Sequence, residues 1–168
     1  MALIKHGELV ADRFLDVTGA TTIPAMGAIL VSLEQWLANL DVLVARTDPL
    51  GIRLKRDQHP EVVADDLDHF ALIALEVPVF KDGRAFGYAR LLREHWGFRG
   101  ELRAVGDVLP EQVPFMQRIG FDTFELRGWT PAGSGASADR LSWLSQAVSA
   151  PDRQEAGVRG QERPAFPG

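Results

Sequence analysis

Two acids stand where strand ends would put them. Glu76 lies near the end of the apolar run Leu72–Val77, and Asp107 follows the run Glu101–Val105. A carboxylate in such a place can act as a general base, ligate a metal or orient an arginine. If the two runs are neighbouring strands, the acids form a pair. The plainer reading of Asp107 is a helix-cap or turn acid. A second group is Lys81, Asp82, Gly83 and Arg84. Its two cations and backbone amides could hold sulfate, sulfite or phosphate, with Gly83 supplying a positive φ. The plainer reading is an exposed Asp-Gly turn with solvated charges. Arg90 is a third anion-binding candidate, and it is also spaced for an i,i+4 pair with Glu94. Gly106 and Gln112 bound the loop that carries Asp107.

The elements around these residues set where a site can lie. Leu3–Ile4 and Leu9–Val10 flank a His6-Gly7 turn, and Phe14, Leu15 and Val17 follow, which reads as an antiparallel hairpin or meander. Ala28–Val31 is a short strand candidate. Ser32 is a helix cap, and Leu33, Trp36, Leu37, Leu40, Leu43 and Val44 recur at helical spacing, predicting one helix to about Arg46–Thr47. Then strands alternate with helices: Ile52–Lys55, a helix over Pro60–Leu67, Leu72–Val77, a helix over Arg84–Trp96 ended by Gly97, Glu101–Val105, a helix over Pro110–Ile119 ended by Gly120, and Thr123–Leu126. Pro114 requires either an irregular first turn or a helix that starts there. The pattern predicts an α/β fold with a mainly parallel sheet of about four strands, flanking helices and an N-terminal antiparallel hairpin. An open sheet is favoured over a half-barrel. Ligands of such sheets bind at the carboxyl ends of the strands. Here those ends carry the loops 78–84 and 106–112, with Glu125 and Arg127 nearby.

Residues 1–128 read as a single α/β domain. Residues 129–168 are rich in Pro, Gly, Ser and Ala. They read as a linker, a short helix marked by Leu141, Trp143, Leu144 and Val148, and a disordered tail.

Composition excludes several chemistries. The 168 residues contain no cysteine, which removes disulfides, thiol nucleophiles, and Cys-ligated zinc or iron–sulfur clusters. The net charge of −5 argues against broad nucleic-acid binding. No stretch reaches the roughly 18 apolar residues of a membrane span, and the N-terminus lacks a signal-peptide core, so a cytoplasmic protein is expected. His6, His59, His69 and His95 show no i,i+4 metal spacing, and no metal is expected. No nucleotide-binding or nucleophile-elbow motif is present. A flavin would have to stack on Tyr88 or Phe80 without a motif to hold it.

One block is more specific. DGR at 82–84, ARLLRE at 89–94, GELRAVGDV at 100–108, Gln112, Met116, Arg118, GFD at 120–122 and FEL at 124–126 together resemble a bacterial family. That family is a domain of unknown function commonly labelled a probable oxidoreductase involved in sulfite reduction. The resemblance runs from Ile4 to Arg127 and is densest from Phe80 to Leu126. It supplies no catalytic residue with a defined role. Where the family pattern has Tyr-Ser before ARLLR, this chain has Phe86 and Gly87, and Pro110–Glu111 stand where Arg-Asp is usual. The resemblance implies an accessory protein of assimilatory sulfite reduction. Its partner would be sulfite reductase or another sulfur-assimilation protein, and its role electron transfer or sulfur-oxyanion binding. Without cysteine it cannot itself carry the thiolate-held cluster of a sulfite-reducing subunit. Two other readings stand beside this one. One is a small carboxylate-dependent enzyme acting on an anionic metabolite through Asp107 and Glu76. The other is a non-catalytic docking module with Trp143 and Leu144 as anchors.

Overall fold

The structure is a computed structural model that describes residues 2–77 and 83–126. Lys81, Asp82 and the segment 129–168 lie outside the described residues. The first strands, β1 (Ala2–Lys5) and β2 (Glu8–Val10), form the expected hairpin. Its two-residue turn places His6 at φ 52° and Gly7 at φ 78°, the left-handed geometry that matches strand twist.

The chain does not continue as a meander. It crosses the sheet to β3 (Leu15–Asp16), which pairs in parallel with β4 (Ile29–Ser32) at the opposite edge. From there β5 (Leu50–Leu54), β6 (Leu72–Val77), β7 (Glu101–Gly106) and β8 (Thr123–Leu126) follow in parallel. The order across the sheet is β2-β1-β8-β7-β6-β5-β4-β3. β1 meets β8 antiparallel. The parallel part is thus larger than the expected four strands, because Leu15–Asp16 and Ile29–Ser32 both join it.

The strict chain order of the parallel strands decides the shape. Successive crossovers of one hand place every connecting helix on the same face. The packing shows this: Trp36, Leu43, Val63, Ala89, Leu92, Val113 and Met116 from the connections share one core with Ile52, Ile73, Leu75, Leu102 and Phe124 from the strands. The other face has its own small cluster of Phe14, Leu30, Leu72, Ala74 and Val105. A sheet covered by helices on one side curls around the other, so the expected open sheet is replaced by a curled one.

Local chemistry explains the helices. Ser32 and Gln35 form a reciprocal capping box: the Gln35 amide donates to Ser32 Oγ (3.1 Å) and the Ser32 amide to Gln35 Oε1 (2.8 Å). The resulting helix α1 (Leu33–Ala38) stops early. Asn39 leaves helical geometry and its side-chain amide donates to the Gln35 carbonyl, competing with the backbone. α2 (Leu40–Val44) starts on a new axis. The break is why Leu37, Leu40 and Val44, expected on the core face, are exposed while Leu33, Trp36 and Leu43 are buried. Pro60–His69 is a 3₁₀ helix with Pro60 at its start. α3 (Arg84–Arg90) widens into a π turn, Leu91–His95, before Gly97 turns the chain at φ 64°. A 3₁₀ turn, Pro110–Gln112, leads into α4 (Val113–Ile119). Pro114 therefore sits in the first turn of α4, where no amide partner is needed.

Two arginines fasten the loops that enter the strands. Arg93 donates to the carbonyls of Phe98 (2.7 Å), Gly100 (2.8 Å) and Gly120 (3.0 and 2.9 Å) and to the Asp122 carboxylate (2.6 Å). Every guanidinium donor is used. Gly120 must be glycine: its φ is 126°, and a Cβ there would lie 2.7 Å from Arg93 Cγ. Arg46 does the same work on the carbonyls of Pro24, Ala25 and Gly27, at 2.6, 3.1 and 2.6 Å. Arg93→Met should therefore lower stability by about 2–4 kcal/mol, since it strands several carbonyls and Asp122 together. Urea unfolding measures this, and a loss below 1 kcal/mol (~ the yield of one ordinary hydrogen bond) would show that water replaces Arg93.

Candidate functional site

Arg53, Lys55, Glu76 and Asp107 lie at or near the carboxyl ends of the parallel strands. On β6, Ile73, Leu75 and Val77 join the helix-side core, so alternation turns Leu72, Ala74 and Glu76 to the open face. On β5, Ile52 and Leu54 face the helices, which turns Gly51 and Arg53 to the open face. Gly51 is the tight point between them: a Cβ would sit 3.0 Å from Leu30 Cδ1 and 3.2 Å from Leu72. The register pairs Ser32 with Arg53, Arg53 with Ala74, and Leu54 with Leu75. Lys55, one residue further, continues the Arg53 side beside Glu76.

A row of alternating charge results. Lys55 Nζ donates to Glu34 Oε1 at 2.9 Å, and Glu76 adds to the negative field at Lys55. Behind this row, Arg53 has a side chain 23% exposed and, among the described residues, one ion pair, to Asp16 at 3.5 Å. That distance is at the limit of a hydrogen bond, which leaves most of the fork of Arg53 donors unspent. Glu76 is half-buried and makes no hydrogen bond or ion pair among the described residues.

Arg103, on the same face, is spent. Arg103 is 2% exposed and donates to Asp12 at 2.7 and 3.1 Å and to Glu101 at 3.1 and 3.4 Å. Thr123 Oγ1 donates to Glu101 at 2.8 Å, and the guanidinium lies 5.9 Å from the Phe14 ring centroid. Arg103 is a brace rather than a vacant anion receptor. It stands two strands from Arg53, roughly 10 Å at ordinary strand spacing.

The residues singled out in the sequence divide. Glu76 and Asp107 do come to one end of the sheet, on adjacent strands: Val77 pairs with Gly106, and the Asp107 amide donates to the Val77 carbonyl at 3.1 Å. Gly106 permits this at φ 96°, since a Cβ would lie 2.8 Å from that carbonyl and 3.5 Å from Glu76 Cγ. The Asp107 side chain is exposed, and the following 3₁₀ turn has no side-chain cap, so the capping role does not hold. Gln112 closes that turn half-buried, with Oε1 buried and lacking a partner among the described residues. Gly83 does not supply the expected positive φ. It caps α3 at φ −80°, an ordinary geometry for a residue entering a helix. Arg84 opens α3 at this same end. Arg90 sits at the far end of α3, 3.8 Å from Glu94, with both side chains largely in water. This is the solvated helix-face pair, and it is strongly screened.

Sequence reasoning missed Arg53, Lys55 and Glu34. The signal was present: Gly51-Ile52-Arg53-Leu54-Lys55 alternates, and both cations fall opposite the apolar residues. A cleft of about 290 Å³ opens elsewhere, at the entry ends of β5 and β6, lined among others by Leu43, Arg46, Asp48, His69 and Phe70. The arginine there is already committed to three carbonyls, and the cleft lies away from the carboxyl ends where ligands of parallel sheets bind. Among the described residues no helix is long and apolar enough to cross a membrane.

The Lys55 hydrogen bond, first among its causes, holds the Glu34 carboxyl down from 4.5 to about 2. Because the folded value lies below the unfolded one, the pair's contribution is complete above the unfolded value and is lost as pH falls through about 2. Both side chains are more than half exposed, so solvent screens that contribution. An NMR titration should find Glu34 still ionised at pH values where free glutamate is half protonated. Lys55→Gln should return it toward the ordinary value, and an unchanged titration in that variant would refute the pairing.

Across more than half of the chain, residues 51–146, the sequence matches the family described as "Bacterial protein of unknown function (DUF934)". The match begins at β5 and ends beyond β8, whereas the expected resemblance ran from Ile4 to Arg127. The family description names no activity and no link to sulfite reduction. No curated protein matches the chain. From Gly51 onward, then, the curled sheet, its carboxyl rim and the residues that follow β8 carry the pattern of one family, and the protein belongs to DUF934, a bacterial family of unknown function.

Proposed function

We propose that the protein binds a small oxyanion at the carboxyl rim of its curled sheet and serves sulfite reduction as an accessory protein. The observation that carries the binding is Arg53: a half-buried guanidinium with one long contact, beside Lys55, at the end of a parallel sheet. A planar fork of donors with low exposure suits an oxyanion better than a solvated lysine does. Sulfite and sulfate fit that chemistry, and sulfite reduction is the role in the label commonly given to the family that the sequence resembles. Sulfite reductase or another sulfur-assimilation protein is the proposed partner. The sequence offers no thiolate to hold an iron–sulfur cluster, so in this proposal such a cluster would belong to the partner.

A second reading rests on Glu76. A half-buried carboxylate without a hydrogen bond, next to Asp107 and behind two cations, could exchange a proton with a bound anionic metabolite. In that reading Arg53 and Lys55 bind, Glu76 acts as acid or base, and Asp107 assists from the exposed side.

Calorimetric titration with sulfite, sulfate and phosphate tests the binding. Wild type should bind at least one of them, and Arg53→Gln should weaken that binding at least tenfold, the order of one charge-assisted pair. Glu76→Gln should keep or improve binding, because it removes a like charge. Equal affinity in wild type and Arg53→Gln would overturn the assignment. An absorbance spectrum separates the redox version: a bound flavin would make this an electron carrier, and a colourless protein would leave oxyanion binding alone.

A further inference from the structure

Beyond the oxyanion site, we infer that residues 141–148 of this chain dock on the seam between α3 and α4, beside the carboxyl rim. The seam is apolar and uncovered among the described residues. Phe86 and Phe115 are the third residues of their helices, and their rings meet edge to face with centroids 5.5 Å apart. Phe115 remains 53% exposed, and Leu109, just before the 3₁₀ turn that leads into α4, remains 42% exposed. Both helices start at the carboxyl ends of the strands, so this apolar ground lies at that end of the sheet.

The topology says what is close enough to cover it. β8 runs parallel to β7, so the chain reaches Leu126 at the same end, next to the strand that α4 follows. Residues 127–140 are mostly small or turn-forming in sequence, and 14 residues of such composition can bridge roughly 20 Å. Leu141, Trp143, Leu144 and Val148 come next, with the spacing of an apolar helix stripe. The family match adds an independent reason. It does not stop with the sheet at Leu126 but runs to Gln146, taking in Leu141, Trp143 and Leu144. The family is therefore defined by more than the sheet. A segment that contains a tryptophan and two leucines fits an aromatic seam through apolar contact.

The absence of cysteine makes the test clean. Full-length protein carrying Phe115→Cys and Leu144→Cys is oxidised mildly, alongside a control with Leu37→Cys and Leu144→Cys. Leu37 is also more than half exposed, but it lies on α1 near the other edge of the sheet. The docked arrangement should form an intramolecular disulfide in the first protein at least tenfold faster than in the control. Equal rates would overturn the proposal. So would disulfide-linked dimers as the main product of the first protein, because a second copy would then be the occupant. Hydrogen exchange reads the same contact without cysteines. Amides of 141–148 should exchange at least tenfold more slowly in wild type than in Phe115→Asp, and unprotected exchange in wild type would rule out docking.

Discussion

The buried guanidinium of Arg103 is the constraint around which the open face is arranged. It lies on β7 in the middle of the curled sheet, 2% exposed, between Asp12 and Glu101. A charge in that position is tolerated only when its donors are satisfied, and removing one partner of such a group is far more costly than the pair's net contribution. Asp12 is that partner, and it lies on the segment that carries the chain from β2 at one edge to β3 at the other. The ion pair thus dictates the path of the crossing, and Phe14 is buried along it against Leu30, Leu72, Ala74 and Val105. What would be an open half-barrel is filled at its middle by Phe14 and the Arg103 side chain.

That division separates two kinds of arginine. Arg93 and Arg103 have their donors committed to carbonyls and carboxylates within the fold, and Arg46 spends its two terminal nitrogens on three carbonyls while its Nε is buried without a partner among the described residues. They hold loops and segments whose sequence separation is large, and their chemistry is architectural. Arg53 stands on the same face as Arg103 and only two strands away, yet it has one long contact and partial exposure. The difference lies in what the neighbouring chain supplies. The crossing segment delivers a carboxylate directly to Arg103, but β3 brings Asp16 only to the edge of reach of Arg53. The unspent donors of Arg53 next to Lys55 and Glu76 are therefore the chemical content of the rim.

Much of the fold was legible because it rests on local signals. The His6-Gly7 turn, the Ser32 cap and the glycines at 97 and 120 each announce a geometry within a few residues. The run Leu72–Val77 is apolar enough to demand burial on both faces. The failures have physical causes too. The helix break at Asn39 depends on one side-chain amide finding the Gln35 carbonyl, which periodicity does not encode. The placement of β3 depends on Asp12 meeting Arg103 across 91 residues of sequence. Curling follows from strand order, which local patterns leave open. At the rim, Glu76 and Asp107 could be placed from strand ends alone, since adjacent strands must bring them together. The alternation of residues 51–55 puts Arg53 on the open face, but its long contact to Asp16 depends on where β3 lies, which local pattern leaves open.

The central claim is that Arg53 receives an oxyanion. The most direct measurement is a two-dimensional NMR titration of the full-length protein that follows arginine Nε–H and backbone amide signals as sulfite is added. The account predicts that the Arg53 Nε–H moves most, that amides around Lys55, Glu76 and Gly106 follow, and that Arg93 and Arg103 stay still. Shifts concentrated around Arg46 and His69 instead would place the ligand in the cleft at the entry ends of β5 and β6, and would contradict it.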